Sequence, residues 1–427
     1  MAPARPALHY AWTIVLLGHL NIFCALGLGR FAYAMILPAM KAGLGLSYAE
    51  TGWLATGNFI GYLAASLLAG LAASRWPPRR LLPLALVALA ASLAATAAAG
   101  GFASAFAVRT VTGLASGAVY IPAMSLPNLW FAPRRRGMAA GLQAGGSGLG
   151  LIASGFAVPL ILAGAGPEGW RRAWLFLAAL VVLVWSGTLA WLRDRPEEVG
   201  ALPLGATQAA APAPPGRPPW GEVFSSRPLW ALGGIFACFG LSYVVYVTFF
   251  AAHLARAGAL SAETAGWLWG LVGALSLVSG LLWGTVADRI GKPAGLAIVF
   301  VLHATAFATF AQARTMPAFV TSAVLFGLSA WSIPAIMAAS VPDYVGTRLA
   351  PAGLGFITII FGLGQAAGPP IAGRLADWTG SFAGPYLLAS GMALVGAASA
   401  LILQARQCSQ SGGGTSDATR CGRPADR

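Results

Sequence analysis

The sequence predicts an all-α membrane protein in which twelve transmembrane helices form two pseudo-symmetric six-helix halves. Three observations carry this prediction: the composition, the spacing of the apolar segments, and an internal repeat. Of the 427 residues, 58% are hydrophobic and only 9% are charged. Because roughly a quarter of the residues of a soluble domain are charged, this composition fits a chain that is covered by lipid.

Twelve apolar segments approach the length of about 20 residues that a helix needs to cross a bilayer. They begin near Ala11, Thr51, Leu81, Phe102, Gly137, Ala173, Leu229, Ala262, Pro293, Ala318, Ala352 and Gly384. The two halves are predicted at 11–193 and 228–403. Between them, residues 194–227 are polar and rich in Pro and Ala, which is typical of a linker. The Gly- and Ser-rich composition of residues 404–427 predicts a disordered tail.

The distribution of Lys and Arg predicts the orientation. With the N-terminus in the cytoplasm, eighteen of the 26 cationic residues fall on the cytoplasmic side, five fall on the opposite side, and three lie within apolar segments. Cytoplasmic loops carry such an excess of Lys and Arg. We therefore expect a multi-pass protein of the bacterial plasma membrane with both termini in the cytoplasm. The same pattern explains the net charge of +14 without nucleic acid as a partner.

The repeat relates the two halves at a constant separation of 214 residues. The stretch from Leu46 to Leu54 (LSYAETGWL) resembles the stretch from Leu260 to Leu268 (LSAETAGWL), and the same separation relates Gly113 to Gly327. Parallel repeats of this kind form a substrate site at the interface between the halves, near the bilayer midplane.

Two short motifs resemble a known family. The run Gly284-Thr-Val-Ala-Asp-Arg-Ile-Gly-Lys292 resembles the cytoplasmic loop motif Gly-x-x-x-Asp-Arg-x-Gly-Arg/Lys of the major facilitator superfamily (MFS). The run Arg109-Thr-Val-Thr-Gly113 resembles its Arg-x-x-x-Gly signature on the fourth helix. The segment from Gly27 to Tyr33 is similar to a branch of bacterial permeases in that superfamily. The resemblance covers about residues 10–403, and it implies the MFS fold and secondary transport by alternating access.

The resemblance also implies roles for particular residues. It makes Asp288, Arg289 and Lys292 gating residues on the cytoplasmic face, where a charge network can stabilise one access state. An anchor that obeys the positive-inside rule is the simpler alternative for the same three residues.

Two arginines within membrane segments are the main candidates for substrate binding. A charge at the centre of a bilayer costs about 2.5 kcal/mol or more, so such residues are usually functional. We expect the Arg30 guanidinium to bind a carboxylate in a bidentate way, although backbone carbonyls or snorkelling could also satisfy it. Arg109 is the second candidate, with helix packing as its alternative role.

The acidic residues point to the same kind of substrate. None of the twelve Asp and Glu residues lies in the middle of a predicted membrane segment, whereas a permease for organic cations needs a buried carboxylate. The predicted cargo is therefore a small organic anion such as a monocarboxylate. His19 shares a stripe with Arg30 at 100° per residue, and it is the candidate for proton coupling because its pKa lies near neutrality.

Polar residues on the helices that line the cavity in the MFS are further candidates for substrate binding. They are Asn58, Gln143, Tyr243, Tyr246 and Gln365. Together with neighbouring aromatic residues they predict a mixed polar and aromatic pocket. Packing at helix seams is the alternative reading of each tyrosine.

We therefore predict a secondary transporter for a small organic anion, which works as a monomer in the lipid bilayer. An efflux permease for neutral or amphipathic compounds is one alternative, and a non-transporting membrane sensor is another. The sequence contains no Walker motif, no paired catalytic carboxylates and no His/Cys cluster with metal-ligand spacing. We therefore predict no enzymatic activity, no cofactor and no metal.

Overall fold

The computed structural model describes residues 9–73, 76–205, 220–257 and 260–410. Its contacts divide the chain into two units. Unit 1 comprises Met1–Leu46 and Trp53–Pro215, and unit 2 comprises Ser47–Gly52 and Gly216–Arg427. The boundary falls inside the predicted linker, and one short segment at the start of the second helix groups with unit 2.

The described part of unit 1 consists of long helices with short connections. They are α1 (Ala11–Leu44), α2 (Tyr48–Ala73, whose first residues belong to unit 2), α3 (Pro78–Ala97), α4 (Phe102–Trp130), α5 (Pro133–Ala144 and, after a break, Gly146–Ala165) and α6 (Gly169–Trp191). Pro78 and Pro133 lie in the first turns of their helices, where a missing backbone N–H costs nothing.

The described part of unit 2 has the same organisation. Its helices are α7 (Arg227–Ala257), α8 (Ala262–Ile290), α9 (Lys292–Gln312), α10 (Met316–Gly346, with a turn after Gly327), α11 (Arg348–Thr379) and α12 (Ala383–Gln410). A short helix, Trp220–Ser225, precedes α7. Gly346 has a φ of 73° and separates α10 from α11, because this left-handed conformation is open to glycine at little cost.

These helices confirm the predicted all-α membrane fold. Ten stretches of the described chain are long and apolar enough to cross a membrane, and one of them, Pro133–Trp191, contains both α5 and α6. α2 adds a further helix of 26 residues. The last helix continues to Gln410, past the boundary predicted at residue 403, and residues 411–427 lie outside the described part of the chain.

The surface of the helices is apolar. Leu160, Leu183 and Leu281 expose 72%, 68% and 75% of their surface. Patches of this kind are rare on soluble monomers, and in a membrane they face the acyl chains. The packing inside each unit relies on small residues instead: a Cβ atom on Gly27 would overlap the backbone of Gly150, so glycine allows α1 and α5 to approach closely.

The middle of α1 departs from α-helical geometry. Residues Phe23–Phe31 form a π-helix, with α-helical turns before and after it. The backbone N–H of Ala32 accordingly donates to the Gly27 carbonyl, five residues earlier, at 2.9 Å. Such segments are rare and are frequent at functional sites.

The loop that follows α6 caps α3. The backbone N–H of Arg79 donates to Oδ1 of Asp194 at 2.8 Å, and a carboxylate is favourable at the positive end of a helix. Burial raises the pKa of the Asp194 carboxyl above its usual value, and the charge of Glu198 raises it further. The contact fixes one end of α3 within unit 1.

Candidate functional site

Arg30 lies on the π-helical segment of α1, with its guanidinium against two aromatic rings of α2. Its Cζ atom is 4.2 Å from the ring centroid of Phe59 and 4.5 Å from that of Tyr62. The side chain is half-buried, and its Nη2 atom is buried without a hydrogen-bond partner among the described residues. Cation–π contacts hold the group in place but leave its N–H donors available to a ligand.

Arg109 on α4 is engaged with the protein itself. It is 1% exposed, and its Nη1 atom donates to the Gly29 carbonyl at 2.9 Å. Its Cζ atom also lies 4.9 Å from the ring of Tyr33 and 5.1 Å from the ring of Trp174. These contacts give Arg109 a role in supporting the π-helix, and its direct contact with substrate stays a prediction.

Asn58 on α2 joins the same arrangement. Its amide Nδ2 donates to the carbonyls of Gly29 and Arg109 at 3.5 Å and 3.3 Å. Its Oδ1 atom is buried and has no partner among the residues that the structure describes. Gly113 explains the short distance between α2 and α4, since a Cβ atom at this position would overlap the Asn58 carbonyl. Arg30, Asn58 and Arg109 are therefore brought together around the Gly29–Arg30 peptide.

His19 on α1 and Gln143 on α5 lie where these two helices pack together. The His19 Nδ1 atom is hydrogen-bonded to the Leu142 carbonyl of α5 at 2.7 Å. Gln143 is fully buried over Gly18. The predicted stripe that joins His19 to Arg30 assumed α-helical rotation throughout, which is wrong because the i→i+5 bonding of Phe23–Phe31 changes the rotation per residue. Proton coupling by His19 stays a prediction.

In unit 2, Tyr243 and Gln365 are directly paired. The Gln365 Nε2 atom donates to the Tyr243 Oη atom across α7 and α11. The Tyr243 ring stacks on Phe239 at 4.5 Å, and Phe236 stacks on Phe361 at 4.2 Å, with interplanar angles of 13° and 14°. The rings of Phe236, Phe239, Tyr243 and Phe361 form a flat aromatic wall. The hydrogen bond between Tyr243 and Gln365 supplies its polar groups.

Tyr246 belongs to the interior of unit 2. It is fully buried, its Oη atom is 3.0 Å from the Ser322 Oγ atom, and its ring lies 4.4 Å from that of Phe326. Although Tyr246 lies only three positions after Tyr243, the described contacts do not bring it together with Gln365. Packing accounts for these contacts of Tyr246.

The loop motif between α8 and α9 forms one ion pair. Lys292 Nζ lies 2.6 Å from the Asp343 carboxylate at the end of α10 and donates to the Ala339 carbonyl at 2.6 Å. Asp288 and Arg289 are exposed, and among the described contacts neither takes part in an ion pair. The sequence carries no signal for Asp343, because the pairing joins residues 51 positions apart.

Sequence reasoning also missed Phe59, one of the two rings that hold Arg30. An apolar residue in a membrane helix has no distinguishing feature before its neighbours are known. Asn58 stood out only because it is a polar residue within a membrane helix.

Known transporters resemble the chain along most of its length. A probable sulfoacetate transporter of Cupriavidus necator is 25% identical over 394 residues, which cover 88% of this chain and 89% of that protein. A hexuronate transporter of Bacillus subtilis is 27% identical over 393 residues, covering 86% and 88%. The D323A mutant of the nucleoside transporter NupG superimposes with a TM-score of 0.74 at 15% identity, covering 91% of this chain and 99% of that one.

The match to a family decides the class of protein. The sequence model of the family described as "Uncharacterised MFS-type transporter YbfB" matches residues 22–401. This range includes the π-helix, both arginines and the α8–α9 motif, and the fold agrees with it. The chain belongs to this family of the MFS, and it is a secondary transporter and not an enzyme.

Proposed function

We propose that the protein carries a small organic anion, such as a monocarboxylate, across the bacterial plasma membrane, and that Arg30 binds the anionic group. The observation that supports this most directly is the Arg30 guanidinium itself. It is a cation within a membrane helix, it rests on two rings, and one of its nitrogens is buried without a partner among the described residues. A carboxylate can accept two parallel hydrogen bonds from such a group.

The charges of unit 1 favour an anion over a cation. Arg109 is bonded to the Gly29 carbonyl and is 1% exposed, whereas Arg30 is half-buried, so Arg30 is the guanidinium that a solute can reach. Both positive charges lie on membrane helices. The dielectric constant is low there, so the attraction between each charge and a negative solute is strong. The two relatives described above carry acidic solutes by name, which agrees with this choice.

Unit 2 contributes a different kind of surface. The wall of Phe236, Phe239, Tyr243 and Phe361 is apolar except for the Tyr243–Gln365 pair. Ligand sites are usually of this type, with a few polar groups on an aromatic lining. Taken by itself, this wall is suited to the organic part of a solute, with Tyr243 and Gln365 as its polar groups.

The setting of this activity is also a proposal. The excess of Lys and Arg in the predicted cytoplasmic loops supports a plasma-membrane protein with both termini in the cytoplasm. Gating by Asp288, Arg289 and Lys292 draws its support from the Lys292–Asp343 pair. A monomer suffices for this mechanism.

The test compares Arg30→Ala with Arg374→Ala, an exposed arginine on α11. Ligands that bind the native state raise the unfolding temperature, so a panel of carboxylates and sulfonates is screened by thermal shift. Loss of a charged hydrogen bond costs about 1.5–3 kcal/mol, so Arg30→Ala should weaken binding about 10- to 100-fold.

The control Arg374→Ala should bind as the wild type does. Uptake of the best ligand into proteoliposomes then distinguishes a carrier from a sensor. Binding of every anion by Arg30→Ala at wild-type strength would contradict the proposal, and preferential binding of neutral amphipathic compounds would favour the efflux alternative.

A further inference from the structure

The first turn of α2 receives a carboxylate from α11. Oδ1 of Asp377 accepts a hydrogen bond from the backbone N–H of Tyr48 at 3.0 Å, and Oδ2 accepts one from Ala49 at 2.8 Å. Both residues lie in the segment Ser47–Gly52, which belongs to unit 2 together with Asp377. The first N–H groups of a helix have no partner within it, and a negative charge is favourable there.

The helix already caps itself in part. Ser47 Oγ accepts from the backbone N–H of Glu50 at 3.1 Å, and Glu50 Oε2 accepts from the backbone N–H of Ser47 at 2.8 Å. This is a capping box, which satisfies two donors reciprocally. It leaves the N–H groups of Tyr48 and Ala49, and Asp377 accepts from these two. One carboxylate on another helix therefore completes the cap.

The same turn is packed closely against α11. A Cβ atom on Gly52 would overlap the Pro369 carbonyl, and one on Gly373 would overlap the Tyr48 carbonyl. The Tyr48 ring meets Phe382 edge-on at 4.8 Å. Two glycines and a carboxylate thus hold this end of α2, and the hydrogen bonds to Asp377 are its polar component.

Among the described residues, no carboxylate from another helix caps the corresponding helix of the repeat. Ser261, which matches Ser47 in the repeat, caps α8 by accepting from the backbone N–H of Thr264 at 3.2 Å. Position 163, which matches Asp377, is an alanine. Because the described cap of α8 comes from its own Ser261, a helix of this kind forms without the additional carboxylate. Asp377 serves to attach α2 to α11.

We propose that Asp377 is a gating residue, whose carboxylate holds the start of α2 against α11 in this conformer and releases it in the other access state. α2 is one continuous helix whose residues from Trp53 onwards belong to unit 1, so a movement of unit 1 is transmitted along the helix to these two hydrogen bonds. Gates of this kind need only bias a two-state equilibrium. The inference concerns the movement, and it does not depend on which solute is carried.

The first measurement is hydrogen–deuterium exchange on the purified full-length protein in nanodiscs. Replacing a helix-cap residue typically changes the equilibrium constant for opening of the helix end about tenfold. We expect the Tyr48 and Ala49 amides to exchange about tenfold faster in Asp377→Ala, with Asp377→Asn in between because one acceptor remains. Peptides at the start of α8 serve as the internal control and should not change.

The second measurement separates gating from local capping. Pulsed electron paramagnetic resonance measures the distance between two spin labels, one in each unit. The labels are placed at Trp53 and Trp267, which are matching positions of the repeat and are 46% and 48% exposed. The labels are attached to cysteines in a background without Cys408 and Cys421. In Asp377→Ala the minor distance population should grow about tenfold, whereas Glu222→Gln, at an exposed acid of unit 2 that pairs with Arg348, should leave it unchanged.

Unchanged exchange at Tyr48 and Ala49 would overturn the proposal, and so would faster exchange with an unchanged distance distribution. If Asp377→Ala does not fold, Asp377→Asn carries both measurements, with the same direction and a smaller change. A result that contradicts the gating role of Asp377 leaves the proposed anion binding by Arg30 unaffected, because the gating role does not depend on Arg30.

Discussion

The two units share a repeat but have different interiors. Unit 1 has Arg109 buried and Arg30 half-buried, both beside a distorted helix. In the described part of unit 2, no Asp, Glu, Lys or Arg is buried, and stacked aromatic rings occupy α7 and α11. On the function proposed above, the duplicated helices divide the work. Unit 1 supplies charge, and unit 2 supplies a flat apolar surface.

Arg109 provides the most severe test of this division. Arg109→Ala removes the donor to Gly29 and leaves a cavity between Tyr33 and Trp174. We expect a loss of about 3 kcal/mol from the hydrogen bond and the cavity together. Thermal unfolding followed by tryptophan fluorescence should show it, with Arg374→Ala as the matched control. Equal unfolding temperatures for the two variants would mean that the charge in unit 1 does not support its structure.

The next largest effect is expected in unit 2. Tyr243→Phe removes the acceptor of the Gln365 amide and keeps the aromatic stack. A buried amide left without its partner costs about 1–3 kcal/mol, so both stability and solute affinity should fall. Thermal shift with and without the best ligand measures both.

Gln365→Leu in the Tyr243→Phe background is the control for that prediction. The double variant should recover part of the stability, because no buried polar group is then left alone. If ligand affinity in Tyr243→Phe depends on the charge of the solute, the assignment of charge recognition to unit 1 is wrong.

Tyr62 tests the surroundings of Arg30. Tyr62→Leu removes one of two cation–π contacts, each worth about 1 kcal/mol, and should weaken anion binding about fivefold. In an Arg30→Ala background the same substitution should have no further effect on binding, because residues in contact are not additive. An equal loss in both backgrounds would show that Tyr62 contacts the solute independently of Arg30.

The smallest effect belongs to the α8–α9 loop. Lys292→Ala and Asp343→Asn each remove an ion pair near the surface, which contributes no more than about 1 kcal/mol and is weakened by salt. The two variants should lower the unfolding temperature slightly and to the same extent at low salt. A larger effect of Lys292→Ala that persists at high salt would point to its bond with the Ala339 carbonyl.

Much of the fold could be predicted from sequence because a membrane imposes simple rules. Hydropathy and helix length located the helices, and the repeat predicted two halves. The importance of Arg30 followed from the cost of a buried charge. Its immediate surroundings did not, because Arg109 and Asn58 reach the Gly29 carbonyl of the π-helix from other helices.

The contacts of the tyrosines and of the acidic residues were harder to predict, because they too depend on neighbouring helices. Tyr243 and Tyr246 look alike in sequence, yet one pairs with Gln365 and the other packs among the rings of α9 and α10. Asp377 looks like a residue at the end of a helix, and only the position of α2 shows that it caps another one. Tertiary contacts decide such cases.

The π-helix of α1 has a consequence for how a carrier of this kind diversifies. A wider helical turn holds more residues than an α-helical turn, so the segments on either side can keep their packing faces while the number of residues between them differs. Insertion or deletion of a residue within Phe23–Phe31 is then a change that the remainder of unit 1 can tolerate. Such an insertion or deletion would change the direction in which the Arg30 side chain leaves the helix, whereas a substitution keeps the position of this residue on the helix. Length variation in α1 is therefore a route to new solute preference.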